Sequence, residues 1–233
     1  MTQELWHGDC LELMKDIPDT SVDAIICDLP FGTTRNKWDS IIPFNELWGH
    51  YWRIAKNNAA VVLNAQPPFD KVLGFSQLKY LKYEWIWEKG RATGHLNCKK
   101  QPLKLHENIL VFYKKQCVYN PQMVDGELYS VGGGKSKNDN YGNFSTKREN
   151  DGRLRYPKSI LKVKTETGLH PTQKPVALCE YLIKTYTNEG DLVLDNCMGS
   201  GTTCLAAKNL NRQFIGIEKE KEYYDICVER LSQ

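Results

Sequence analysis

Four consecutive residues, Asp28-Leu29-Pro30-Phe31, combine types that could do chemistry directly after an apolar run, Ala24-Ile25-Ile26-Cys27. A carboxylate and the neighbouring backbone carbonyl, here Asp28 and Leu29, can accept both N–H bonds of an exocyclic amine. That draws the nitrogen toward a lone-pair geometry suited to in-line attack on a methyl sulfonium. Pro30 would stiffen the backbone, and Phe31 would offer a face on which an extruded base could stack. Asp and Pro also serve ordinary turns at strand ends. The tetrapeptide alone therefore leaves both readings open.

A second segment, Asp195-Asn196-Cys197-Met198-Gly199-Ser200-Gly201-Thr202-Thr203, stands between an apolar run and a helical pattern. Its glycines would let the backbone approach a ligand, and the N–H groups opening the helix favour an anionic group. Glu218, 23 residues after Asp195, ends the next apolar run, where an acid can take the two hydroxyls of a ribose. A dinucleotide fingerprint needs glycine or alanine at position 204, and Cys204 stands there. Asp195 suits a ligand with an amino group. S-adenosylmethionine, with its amino acid end, sulfonium and ribose, meets these demands better than a dinucleotide.

The elements that must position these residues alternate. Strands are expected at 23–28, 59–63, 83–87, 109–113, 192–195 and 214–218. Helices are expected at 44–54, at 176–186 after Pro175, from about 202 to 209, and over the last residues to 231. Such alternation predicts an α/β fold, a doubly wound, mostly parallel, Rossmann-like sheet. The cofactor segment normally opens such a sheet, yet here it comes near the end of the sequence. The halves are therefore expected to be circularly permuted: 1–115 the half bearing the tetrapeptide, 116–168 a loop-rich insertion containing Gly132-Gly133-Gly134, and 169–233 the cofactor-binding half.

At this level the sequence resembles the S-adenosylmethionine-dependent DNA amino methyltransferases that modify adenine N6 or cytosine N4. Three ordered features carry the resemblance: Asp28-Leu29-Pro30-Phe31 for the D/N/S-P-P-Y/F signature, His170-Pro171-Thr172-Gln173-Lys174-Pro175 for an H-P-T-x-K-P segment, and the Gly199/Gly201 loop. Leu29 departs from the signature's proline, but the group used there is a backbone carbonyl. The order of motifs is that of the permuted beta class. The resemblance covers about 1–115 and 169–231.

What the resemblance implies is specific. Asp28, Leu29, Pro30 and Phe31 would be catalytic. Asp9 and Cys10 would line the cofactor adenine, Glu218 would hold its ribose, and Gly199, Ser200, Gly201 and Thr202 would pass its methionine moiety. His170, Thr172 and Lys174 would lie near the cofactor carboxylate, with Asp28 and Asp195 also at the cofactor. Adenine N6 is the expected target because members with Asp at the head of the tetrapeptide mostly act on adenine. Cytosine N4 is the alternative, and a non-catalytic DNA-binding module a rival of a different class. The expected partner is double-stranded DNA; a homodimer and a companion restriction endonuclease are both compatible with the resemblance.

Charge distribution agrees with a polyanionic partner. The 233 residues carry a net charge of only +3, yet residues 89–168 carry +9 and the remainder −6. No acid occurs from Lys89 to Lys104. Arg91, Lys99 and Lys100 in that run, and Arg35 and Lys37 after the tetrapeptide, are expected DNA contacts. A solvated face would look similar. The eight cysteines contain no C-x-x-C pair, so free thiols and no metal site are expected. No apolar run is long enough for a membrane span, and a cytoplasmic location is expected.

Overall fold

A computed structural model describes residues 2–34, 36, 39–127, 135–138, 142–145, 153–168 and 173–232. They form two compact units, residues 1–120 with 159–233, and residues 121–158.

The larger unit is built on an eight-stranded sheet. In chain order its strands and helices are β1 (Gln3–His7), α1 (Cys10–Leu13), β2 (Val22–Cys27), α2 (Phe44–Ile54), β3 (Ala55–Ala65), α3 (Phe69–Ser76), β4 (Leu81–Thr93) and β5 (Lys104–Phe112). The smaller unit holds β6 (Val124–Asp125), β7 (Lys135–Asn138), β8 (Gly142–Ser145) and β9 (Leu154–Arg155). The larger unit then resumes with β10 (Ile160–Lys162), α4 (Val176–Tyr186), β11 (Leu192–Asp195), α5 (Thr202–Asn209), β12 (Gln213–Glu218) and α6 (Lys221–Ser232).

The sheet order is β1-β12-β11-β2-β3-β5-β4-β10. Every neighbouring pair is parallel except β3–β5 and β5–β4. The central strands read as continuous apolar runs because both sheet faces are covered: Ala24, Ile25, Ile26 and Cys27 are all buried. One face carries α1, α2 and α3, packed through Met14, Leu47, Tyr51, Ile54 and Leu73. The other carries α4, α5 and α6, packed through Leu178, Leu182, Ile183, Ala207 and Cys227. This is the expected three-layer α/β methyltransferase fold.

Strands at the sheet margins escaped the hydrophobic pattern. β1 is an edge strand whose sequence, Gln-Glu-Leu-Trp-His, is largely polar, and β10 pairs with β4 over only three residues. α3 follows Pro67-Pro68 and carries Gly74 within it, both poor helix signals. Cys117 and Leu161, placed in the expected insertion, are buried in the core beside α4. Among its described residues the smaller unit holds two antiparallel pairs, β6–β9 and β7–β8. No helix of the described residues is long and apolar enough to cross a membrane.

Position follows from order. From β11 the chain moves outward to β12, and from β2 outward to β3 in the opposite direction. The sheet therefore splits at the β11–β2 pair, and its carboxyl edge there is the natural ligand crevice.

Candidate active site

A cavity of about 390 Å³ opens at that edge. The segments after β1, β2, β11 and β12 supply its walls, bringing together Asp9, Cys10, Asp28, Leu29, Pro30, Phe31, Lys174, Asp195, Gly199, Ser200, Thr202 and Glu218. His170 and Thr172 lie outside the described residues, as do Arg35 and Lys37. Arg91, Lys99 and Lys100 are exposed, on β4 and on the connection to β5.

Asp28 stands one residue past β2. Its Oδ2 contacts the Lys174 ammonium, while its buried Oδ1 has no hydrogen-bond partner among the described residues. Lys174 also lies 3.4 Å from Glu107 on β5, whose other oxygen is 2.5 Å from Lys89 on β4. Burial pushes the Asp28 carboxyl up, with Glu107 adding to this against Lys174 and Lys89. Burial alone would lower the Lys174 ammonium, but Asp28 and Glu107 hold it above its ordinary value. Burial alone would likewise raise Glu107, but the two lysines hold it below its ordinary value. Lys174, expected near a cofactor carboxylate, is thus an ion-pair partner of Asp28.

The loop after the tetrapeptide is pinned by Asp39, a buried carboxylate that accepts N–H bonds from Gly32, Thr33 and Thr34 at 2.7, 2.9 and 2.6 Å. Burial opposes its charge, but these bonds outweigh burial and hold the carboxyl below its usual range. Phe31 rests one face on Phe69, with ring centroids 5.1 Å apart, so at most its other face is left for a ligand.

Asp195 ends β11, is 3% exposed, and accepts the Cys197 N–H at 3.2 Å. No cation pairs with it among the described ion pairs. Burial pushes its carboxyl up to about 6, despite hydrogen bonds from Thr203, Cys197 and Cys27. Glu218 ends β12 and accepts the Gly199 and Glu220 N–H groups, both at 2.8 Å. The Lys219 N–H also supports this carboxylate, which lines the cavity. Asp9 caps α1 through the Leu11 N–H at 3.0 Å and pairs with Lys219 at 3.1 Å.

The glycine loop serves two purposes rather than one. Gly199 lines the cavity, but Gly201 is absent from its walls, and a Cβ there would stand 2.2 Å from the Cys227 sulfur. Gly201 is therefore required by its φ of +75° and by the approach of α6, not by a ligand. Arg230 of α6 holds the same loop, donating to the Ser200 carbonyl at 3.1 Å and the Thr202 hydroxyl at 3.0 Å. Tyr51 donates to Asn196 at 2.5 Å from the opposite face. Glu107, Lys89, Asp39 and Arg230 were not legible as site residues; only the alternation of Glu107 with the buried Ile109 and Val111 hinted at burial.

Comparison with known proteins agrees with this geometry. A family model described as DNA methylase matches residues 22–229. Type II methyltransferase M.BglII of Bacillus subtilis is 28% identical, over 98% of this chain and 69% of its own length. Type II methyltransferase M2.DpnII of Streptococcus pneumoniae is also 28% identical, over 97% and 88%. Among solved structures, M1.HpyAVI in complex with SAM superposes with a TM-score of 0.67 at 30% identity, covering 97% of this chain and 98% of that one. The cytosine-N4-specific PvuII methyltransferase shares the fold, with a TM-score of 0.69 at 16% identity over 99% and 87%. The chain belongs to the N6/N4 DNA methylase family, whose methyl donor is S-adenosylmethionine.

Proposed function

We propose that this protein transfers a methyl group from S-adenosylmethionine to the N6 amine of adenine in double-stranded DNA, acting site-specifically on a base turned out of the helix. One observation carries the reading. Asp28 lines the same cavity as Asp195, Gly199 and Glu218, and its buried Oδ1 is an acceptor without a donor among the described residues. An amine hydrogen is the donor it lacks. An unpaired buried acceptor is costly, so a ligand that supplies the donor is favoured.

The residues suggest a division of labour. Asp195 would take the cofactor's ammonium, Glu218 its ribose hydroxyls, and Asp9 and Cys10 would border its adenine. Bound there, the cofactor supplies an electrophilic methyl carbon. Asp28 and the Leu29 carbonyl would accept the two N–H bonds of the target amine, and Phe31 would stack on the base. As the new N–C bond forms and the S–C bond breaks, the amine sheds one proton, which Asp28 takes. The cysteines are not needed as nucleophiles, since no covalent intermediate is called for. The chain order, with β2 and its tetrapeptide ahead of β11 and β12, supports the permuted beta class. Within the expected 116–168, the separate unit at 121–158 would be the target-recognition insertion, and Arg91, Lys99 and Lys100 would meet phosphates.

The test is nucleoside analysis of DNA from a methylation-free host expressing the full chain. N6-methyladenine is expected. N4-methylcytosine alone would overturn the choice of base, and no modified base would overturn the activity.

A further inference from the structure

Asp28 begins a line of polar side chains that crosses four strands. On the sheet face covered by α4, residues follow one another by twos. Asp28 follows Ile26 on β2, Asn64 follows Val62 on β3, Glu107 precedes Ile109 on the reversed β5, and Lys89 follows Trp87 on β4. The register pairs Asn64 with Ile109 and Trp87 with Glu107, so these residues share one edge. The apolar core thus ends in a polar row, over which Lys174 is laid from the segment before α4. The side chains of Lys174, Glu107 and Lys89 are only 7%, 9% and 11% exposed.

Two lysines face two carboxylates there. Charges buried to this degree are retained only at a cost, so the arrangement calls for a function. One cation would suffice to keep Asp28 ionised. The second carboxylate divides the Lys174 charge, and the second lysine anchors that carboxylate.

We propose that Glu107 is a positioning residue of methyl transfer: anchored by Lys89, it holds the Lys174 ammonium on Oδ2 of Asp28, leaves Oδ1 without a protein donor, and draws off enough of the lysine's charge for Asp28 to remain an effective proton acceptor. The inference rests on Asp28 being the amine acceptor.

Two substitutions should move Asp28 in opposite directions. Glu107→Gln leaves two lysines facing one carboxylate and lowers the pH at which Asp28 protonates. Lys174→Met leaves two carboxylates together and raises it. The other titratable groups near Asp28 are Asp195 on β11, Cys179 on α4 and Cys27 beside it; of these Cys179 also feels Lys174, whose loss would push that thiol further up and keep it neutral.

The experiment measures single-turnover methyl transfer by the full chain against pH, with labelled S-adenosylmethionine and unmethylated DNA. Glu107→Gln should shift the acid limb down by about half a unit or more and lower the plateau about tenfold. Lys174→Met should shift it up, and Lys174→Arg should return it toward the parent. If Glu107→Gln does not fold, Lys89→Gln should give a smaller upward shift. Acid limbs that stay in place, or that move the same way in Glu107→Gln and Lys174→Met, overturn the inference. Asp28→Ala separates the two claims: activity retained there refutes the acceptor itself, whereas activity lost there with unmoved limbs refutes only the role of Glu107.

Discussion

Two buried carboxylates stand at the ends of neighbouring strands, Asp28 beyond β2 and Asp195 at the end of β11, and their surroundings differ in one respect. Asp28 has a lysine of the protein itself on one oxygen, whereas Asp195 has hydrogen bonds but no cation among the described residues. The Asp28 carboxyl thus has a cation built into the fold, and in the proposed function Asp195 would receive its cation from the ligand. A carboxylate that must accept a proton in every turnover needs a permanent partner. One that grips an ammonium needs its partner site left open.

The largest expected effect comes from removing the built-in pair. Asp28→Ala should reduce transfer by about a thousandfold or more at saturating cofactor, as measured in a single turnover. Retained transfer would remove Asp28 from the chemistry.

Next is Asp195, the proposed partner of the cofactor's ammonium. Asp195→Asn should weaken S-adenosylmethionine by about 2 kcal/mol, roughly thirtyfold in calorimetry. In the parent, the free carboxyl protonates at about 6, and a bound ammonium would hold it ionised. Binding should thus release a proton and weaken as pH falls below that value. Calorimetry in buffers of different ionisation heat reads the release; no buffer dependence between pH 5 and 6 would sever Asp195 from the ammonium.

The same shift has a consequence for stability, with the sign fixed by linkage. The folded value of about 6 exceeds the ordinary 3.8, so the stabilising contribution is complete below 3.8 and lost as pH rises through 6. At neutral pH the cofactor-free protein bears the cost of an ionised buried group. Asp195→Asn should therefore raise its stability by about 1–3 kcal/mol at pH 7.5, and the gain should vanish below pH 4. An unchanged denaturation midpoint at pH 7.5 would contradict this.

The smallest effect lies outside both strand ends. Lys99 and Lys100 are exposed, and replacing both with Ala should reduce the salt slope of DNA affinity by about 2. An unchanged slope would remove them from the interface. Lys89 opens the same basic run but pairs internally with Glu107, so it adds nothing to an outward-facing charge.

The contrast also explains what the sequence disclosed. Asp28, Asp195 and Glu218 were legible because each ends an apolar run, and buried parallel strands announce themselves by composition. Glu107 and Lys89 were not, because a charge beside a strand resembles a solvated one until register brings its partner alongside. Lys174 was legible as part of a motif, but its partner, 146 residues away, was not. Gly201 was legible as a required glycine, but only the packing of α6 reveals Cys227 against it. β1 and β10 escaped because edge strands need little apolar surface.

The division between the two carboxylates is tested most directly by measuring cofactor binding and single-turnover transfer in parallel for Asp28→Asn and Asp195→Asn. The account predicts a crossed result: Asp28→Asn binds S-adenosylmethionine with near-parental affinity and fails to transfer, whereas Asp195→Asn binds weakly and regains much of its transfer rate when cofactor is raised to saturation. The same defect in both variants, whether in binding or in transfer, would contradict it.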